Sequence, residues 1–188
     1  MTAPLIGSSL SACSHLAPIR VSIHLGALLY NYRILQSCLS SHTKILAMIK
    51  ADAYGHGAVQ VAHALKDLDV FGFGVASVQE GIILREHGIR HPILVMGPIQ
   101  HSHVVDLINS HLPPFISNPD ILSGLIEQLP RNHPPYPVHV KVDTGLHRLG
   151  LNPDEALSLI QTCRNNYPGI LLEGILTHFA DADNPDCT

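Results

Sequence analysis

Six short apolar runs follow one another from position 45 onward at roughly 20–35-residue spacing, and segments with helical spacing separate them. The runs are Ile45 to Ile49, Val70 to Val75, Ile93 to Met96, Pro114 to Ser117, Val138 to Val142 and Leu171 to Leu176. Most are continuously apolar rather than alternating, which fits strands of a parallel sheet covered on both faces. Repeated βα units of this kind predict an α/β fold, either an open sheet or a (β/α)8 TIM-type barrel. Such a barrel takes about 250 residues, so here it would be truncated after about six strands.

The segments between the runs carry helix signals. Ala58, Val61, Ala62 and Leu65 follow i, i+3, i+4, i+7 spacing. Ser77 with Glu80 forms a capping-box pattern whose helix would stop at Gly88. Asn118-Pro119 and Asn152-Pro153 each set a capping side chain before a proline suited to the first helical position, and Glu155 can close a box on Asn152. A further helix, with Leu25, Leu28, Leu29, Tyr32 and Leu35 on one face, precedes the first strand. Pro130, Pro134, Pro135 and Pro137 predict a stiff connector before the Val138 strand.

Composition removes several function classes. With 188 residues, 46% hydrophobic and 14% charged, the chain is too apolar to be disordered and long enough for one globular domain or part of one. A net charge of -4, from 11 basic and 15 acidic residues, argues against a nucleic-acid partner. No apolar run approaches the roughly 18 residues needed to span a bilayer, so no membrane insertion is expected. Cys13, Cys38, Cys163 and Cys187 are widely spaced, which fits reduced thiols in a cytoplasmic setting better than a disulfide framework. Residues 1–18 lack the basic n-region and uninterrupted apolar core of a secretory signal and are expected to be a disordered leader, leaving 19–188 as the folded unit.

The chemistry concentrates in Ile45-Leu-Ala-Met-Ile-Lys50-Ala-Asp-Ala-Tyr54-Gly55-His56-Gly57, where an apolar strand ends on a lysine and passes into a glycine-containing loop. A lysine at that end of a strand, partly desolvated, offers a neutral amine for a Schiff base with a carbonyl cofactor. Gly55 and Gly57 permit close backbone approach to a phosphate, and Tyr54 offers a hydroxyl. Taken alone, a lysine ending a strand is more often a solvated terminal residue. Arg148, between Gly145 and Gly150, suits a clamp on an oxygen anion, and His178 ends the apolar stretch Ile175-Leu176. Fourteen histidines show no H-E-x-x-H arrangement, so no metal is expected. Gly72-Phe73-Gly74 lacks the third glycine of a dinucleotide loop.

Lys50-Ala51-Asp52-Ala53-Tyr54-Gly55-His56-Gly57 resembles the cofactor-lysine motif of the alanine racemase family. Lys141-Val-Asp-Thr-Gly-Leu-His-Arg-Leu-Gly150 and Thr177-His178-Phe179-Ala180-Asp181-Ala182-Asp183 match two further family motifs in the right order. The resemblance runs from about Val21 to the last residue and covers about the first half of a family member. It implies an N-terminal barrel domain, pyridoxal 5'-phosphate held by Lys50 as an internal aldimine, and Lys50 as one of two catalytic acid/base groups. It further implies Tyr54 on the cofactor phosphate, Arg148 on the phenolic oxygen, Lys141, often carbamylated, orienting that arginine, and His178 against the pyridine ring.

The same resemblance implies alanine as substrate, interconversion of its L and D forms for peptidoglycan precursors, and a homodimer in the intact form. Family members carry the second acid/base residue, a tyrosine, on a C-terminal β domain that is absent from these 188 residues, so this polypeptide alone is expected to be inactive. His24 stands where the family usually shows aspartate. The alternative reading is a non-catalytic pyridoxal-phosphate-binding barrel protein, which binds the cofactor and turns nothing over.

Overall fold

The structure, a computed structural model, describes residues 21–184; the leader expected over 1–18 lies outside them. Every expected run contains a strand. β1 (Ile45–Met48), β2 (Val70–Val75) and β3 (Ile93–Val95) form one parallel sheet in that order, and β4 (Phe115–Ile116), β5 (Tyr136–Lys141) and β6 (Ile170–Leu176) form a second. A parallel bridge between Val95 and Pro114 joins β3 to the start of β4, so the six strands succeed one another in chain order.

The helices are α1 (Leu25–Ser37), α2 (Lys50–Gly55), α3 (Ala58–Leu65), α4 (Val78–Glu86), α5 (Val104–Asn109), α6 (Pro119–Gln128) and α7 (Pro153–Asn166). Alternate strand residues face them. Phe73, Val75, Ile93 and Val95 pack with Val61, Ala62, Leu65 and Leu84 into one core, and Ile116, Val138 and Val140 pack with Leu122, Leu125, Ala156 and Leu159 into another. The other strand face carries Met48, Gly74, Leu94, Phe115 and His139, paired in register as Met48–Gly74–Leu94 and Phe115–His139–Gly174. Gly74 makes room there for two methionine side chains, since a Cβ would lie 2.4 Å from the Met48 sulfur and 2.7 Å from that of Met96.

The caps on α6 and α7 follow the sequence pattern. Asn118 Oδ1 accepts from the Asp120 amide at 2.9 Å, and Asn152 and Glu155 form a reciprocal box at 2.9 and 3.1 Å. Three expectations need correction. Glu80 is capped by Ser77 Oγ at 3.2 Å but does not return its carboxylate to Ser77, because that carboxylate is bound to Ala51 and Ala76. Leu35 is exposed; the α1 stripe buries Tyr32 and ends there.

The fifth strand starts at Tyr136 and includes Pro137. Tyr136 N–H donates to Gly169 on the β6 side, so the missing Pro137 N–H would point toward β4, whose pairing begins only at His139. The Tyr136 ring is buried, and its hydroxyl shares its proton between the Leu107 and Leu112 carbonyls at 2.8 and 2.9 Å.

Candidate active site

The three motifs sit at the C-terminal ends of β1, β5 and β6. Ile49 N–H makes the last bond to β2, at Gly74 O, and Lys50 follows it half-buried. From there the chain does something no periodicity signalled. Ala51, Asp52, Ala53 and Tyr54 all adopt left-handed helical angles, with φ of 50, 52, 53 and 55°, so α2 is a single left-handed turn. Each such residue costs about 1–2 kcal/mol relative to the right-handed form, so the turn persists only if its surroundings dictate it.

Several hydrogen bonds do so. Ala53 N–H donates to Ile49 O at 2.8 Å and Gly57 N–H to Asp52 O at 2.9 Å. Asp52 Oδ1 accepts from Ala58 N–H at 2.7 Å, His56 Nδ1 lies 2.9 Å from Ala53 O, and Glu80 Oε1 accepts from Ala51 N–H at 2.9 Å. Gly55 and Gly57 continue with φ of 81 and 87°. The turn leaves Tyr54 largely exposed, with Lys50 Nζ 5.8 Å from its ring centre.

Lys141 ends β5 with 7% of its surface exposed. Burial, and then the like charges of Arg148 and Lys50, push its amine below the ordinary lysine range, against the opposing pull of Asp143. Lys50, Lys141 and Arg148 therefore share one electrostatic neighbourhood. The loop carrying Arg148 closes through Asp143 N–H to Leu151 O at 2.8 Å and Leu151 N–H to Lys141 O at 2.9 Å. Asp143 Oδ1 accepts from the Gly145 and His147 amides, both at 3.0 Å, and these bonds hold its carboxyl below the usual range. Arg148 itself is exposed.

The second and third motifs are clasped by hydroxyls that sequence reasoning gave no role. Thr144 and Thr177 Oγ1 atoms meet at 2.6 Å, Thr177 donates to Val142 O at 2.9 Å, and Thr144 Oγ1 lies 3.3 Å from His178 O. His178 follows β6 with an exposed side chain. Its backbone is thus tied to the Lys141 strand end, although no ring contact brings it to Lys50. Among the described residues no helix is long and apolar enough to cross a membrane. Nor do three or more His, Cys, Asp or Glu side chains among them form a group that could hold a metal ion.

The family profile described as "Alanine racemase, N-terminal domain" matches residues 23–188. Alanine racemase 2 of Clostridium acetobutylicum is 36% identical over 170 residues, covering 90% of this chain and 43% of the relative. The alanine racemase of Xanthomonas axonopodis pv. citri is 40% identical over 173 residues, covering 91% and 45%. Among solved structures, alanine racemase of Clostridium difficile 630 superposes with a TM-score of 0.79 at 36% identity, over 86% of this chain and 43% of that one. Another, alanine racemase from E. faecalis, gives 0.77 at 34% identity, over 87% and 45%. The chain spans less than half the length of these relatives. With the profile covering nearly all of it and the three motifs standing at three strand ends, the chain belongs to the alanine racemase family.

Proposed function

We propose that these residues supply the cofactor-holding part of an alanine racemase active site, acting on alanine in the cytoplasm to provide D-alanine for peptidoglycan, in an intact form that is a homodimer. The six parallel strands are read as part of a (β/α)8 barrel with its site at the C-terminal strand ends. The observation that carries the reading is that the three motifs stand at the C-terminal ends of β1, β5 and β6, with Lys141 buried there and feeling the charges of Arg148 and Lys50.

The donor set fits pyridoxal phosphate. The buried Lys141 amine feels the like charges of Arg148 and Lys50, while the neighbouring carboxylate, Asp143, is already engaged by two backbone amides, so the site calls for an added anion. Lys50 offers a half-buried amine for an aldehyde, and the exposed Tyr54 hydroxyl suits a phosphate oxygen. Pyridoxal phosphate, when bound, supplies a ring that takes up the electron pair left by the departing α-proton.

The chain's own residues do the rest. Lys50 would hold the cofactor and move the α-proton on one face of the substrate. Tyr54 would bind the cofactor phosphate, Arg148 its phenolic oxygen with Lys141 orienting that arginine, and His178 would lie by the ring. The other face of the α-carbon is assigned to a group outside residues 21–184.

The test is to add one equivalent of pyridoxal phosphate, reduce with borohydride and map the modified peptide. The label is expected on Lys50 and is expected to disappear in Lys50→Ala. Undiminished labelling in that variant overturns the assignment.

A further inference from the structure

Past Ile49 and Val75 the first two strands part, and one amide beyond the end of each, Ala51 and Ala76, is left without a strand partner. Ile49 N–H reaches Gly74 O, and beyond it the chain leaves the strand for the left-handed turn, whose first residue, Ala51, presents its N–H to the side chain of Glu80 on α4. On β2, Phe73 N–H points to the β3 side, toward Pro92 O, so Ala76 N–H, three residues on, points back toward β1. No strand carbonyl meets either amide. Instead the Glu80 carboxylate stands between them, Oε1 accepting from Ala51 at 2.9 Å and Oε2 from Ala76 at 2.7 Å.

We propose that Glu80 is a positioning residue for Lys50: by accepting from Ala51 and Ala76 together, its carboxylate pins the left-handed turn beside Lys50 to the end of β2 and so sets where the Lys50 amine stands. The proposal rests on the reading of Lys50 as the cofactor lysine. Ala51 is the first residue of a turn whose backbone is intrinsically unfavourable, and α4 reaches it through the Glu80 carboxylate. Ala76 is itself fixed, because its carbonyl lies so close to Gly97 that a Cβ there would be 2.0 Å away. Two amide donors need two acceptor oxygens. A carboxylate has them, whereas a carboxamide of the same shape would turn an N–H donor toward one of the two amides.

The experiment compares the 188-residue protein with Glu80→Gln and Ser77→Ala. Ser77→Ala weakens the start of α4 but leaves the carboxylate, so it reports a merely structural role. Lysines are reductively methylated with 13C-formaldehyde, and the Lys50 signal is followed by NMR without cofactor. In parallel, the rate of pyridoxal-phosphate attachment to Lys50 is measured per folded molecule. Glu80→Gln is expected to move the Lys50 signal, leave those of Lys44 and Lys66 in place, and slow attachment roughly tenfold, the scale of one lost charge-assisted hydrogen bond. Ser77→Ala is expected to lower stability and change neither readout.

A Lys50 signal unmoved in Glu80→Gln, or moved equally in Ser77→Ala, overturns the proposal. If Glu80→Gln fails to fold, Glu80→Asp, which keeps both oxygens one methylene short, is read the same way. Should the unsubstituted protein attach no cofactor at Lys50, the functional reading fails, and the NMR signal still decides whether Glu80 positions that amine.

Discussion

His139 and Glu173 meet across β5 and β6, Nε2 3.1 Å from Oε2, on the sheet face that neither helix-packed core covers. The His139 ring stands edge-on to Phe115, with centres 5.9 Å apart, and Gly174 leaves room for its Nδ1 side, where a Cβ would come within 2.6 Å. Burial pushes the imidazole below its ordinary range, and the Glu173 charge and hydrogen bond only partly oppose it. The neutral ring donating Nε2–H to the carboxylate is the form this site favours.

The consequence is a pH dependence of definite sign. An unfolded chain takes up the proton near 6.5, the folded one only at lower pH. His139 therefore contributes its full stability above about pH 6.5, and that contribution is lost as pH falls through the folded value. Urea midpoints between pH 8 and pH 5 are expected to decline on the acid side, and His139→Gln to flatten the decline. Glu173→Gln removes the groups that favour the charged ring, so its decline is expected to continue to lower pH. Parallel profiles for all three proteins would refute the linkage.

Tyr136→Phe tests the clasp beneath β5. The substitution keeps the buried ring and leaves the Leu107 and Leu112 carbonyls without their shared donor. A loss of about 1–3 kcal/mol in denaturant unfolding is expected, the cost of a buried carbonyl left short of its donor at Leu112, since Leu107 O keeps the Leu112 N–H at 3.0 Å. Burial also pushes the Tyr136 phenol far up. Its alkaline absorbance change is accordingly expected only on unfolding.

Much of this architecture was readable because apolar periodicity reports what a residue buries. The Ile45, Val70, Ile93, Pro114, Val138 and Leu171 runs each contain a strand, and Asn118 and Asn152 cap the helices they precede. The motif residues Lys50, Lys141 and Arg148 were legible from their order along the chain, and the fold brings them into one field. What escaped depends on long-range bonds. Ser77-x-x-Glu80 has the letters of a local box, but the Glu80 carboxylate goes to Ala51, 29 residues away. Four consecutive non-glycine residues give no hint of a left-handed turn, since tertiary bonds and not propensity impose it. The Thr144–Thr177 clasp, 33 residues apart, is invisible for the same reason.

Gly150 and Gly26 should respond oppositely to alanine. Gly150 sits at φ 135° with the Asp143 amide 2.7 Å from where a Cβ would go, so Gly150→Ala strains the loop that carries Arg148. A loss of about 1–3 kcal/mol is expected, together with weaker pyridoxal-phosphate binding. Gly26 lies in α1 with nothing within 4 Å of a Cβ. Gly26→Ala is expected to raise stability by roughly 0.5–1 kcal/mol and leave cofactor binding unchanged. Thermal melts with and without cofactor distinguish the two effects.

Lys141 makes the most direct chemical prediction. Its amine is buried beside Arg148 and Lys50, so the charged form is disfavoured and the neutral amine is more available than on an ordinary lysine. A neutral amine adds to carbon dioxide: the nitrogen lone pair bonds the carbon, one C=O electron pair moves onto oxygen, and the nitrogen loses a proton to solvent. The product is a carbamate anion, which converts two like-charge repulsions into attractions with Arg148 and Lys50. In 13C-bicarbonate a carbamate signal is expected by NMR, growing as pH rises from neutral because the neutral amine increases, and vanishing in acid. Lys141→Arg keeps a cation and cannot form the adduct, so it should abolish the signal. A signal that survives in Lys141→Arg belongs to another amine, and Lys141 would then stand beside Arg148 as an ordinary lysine.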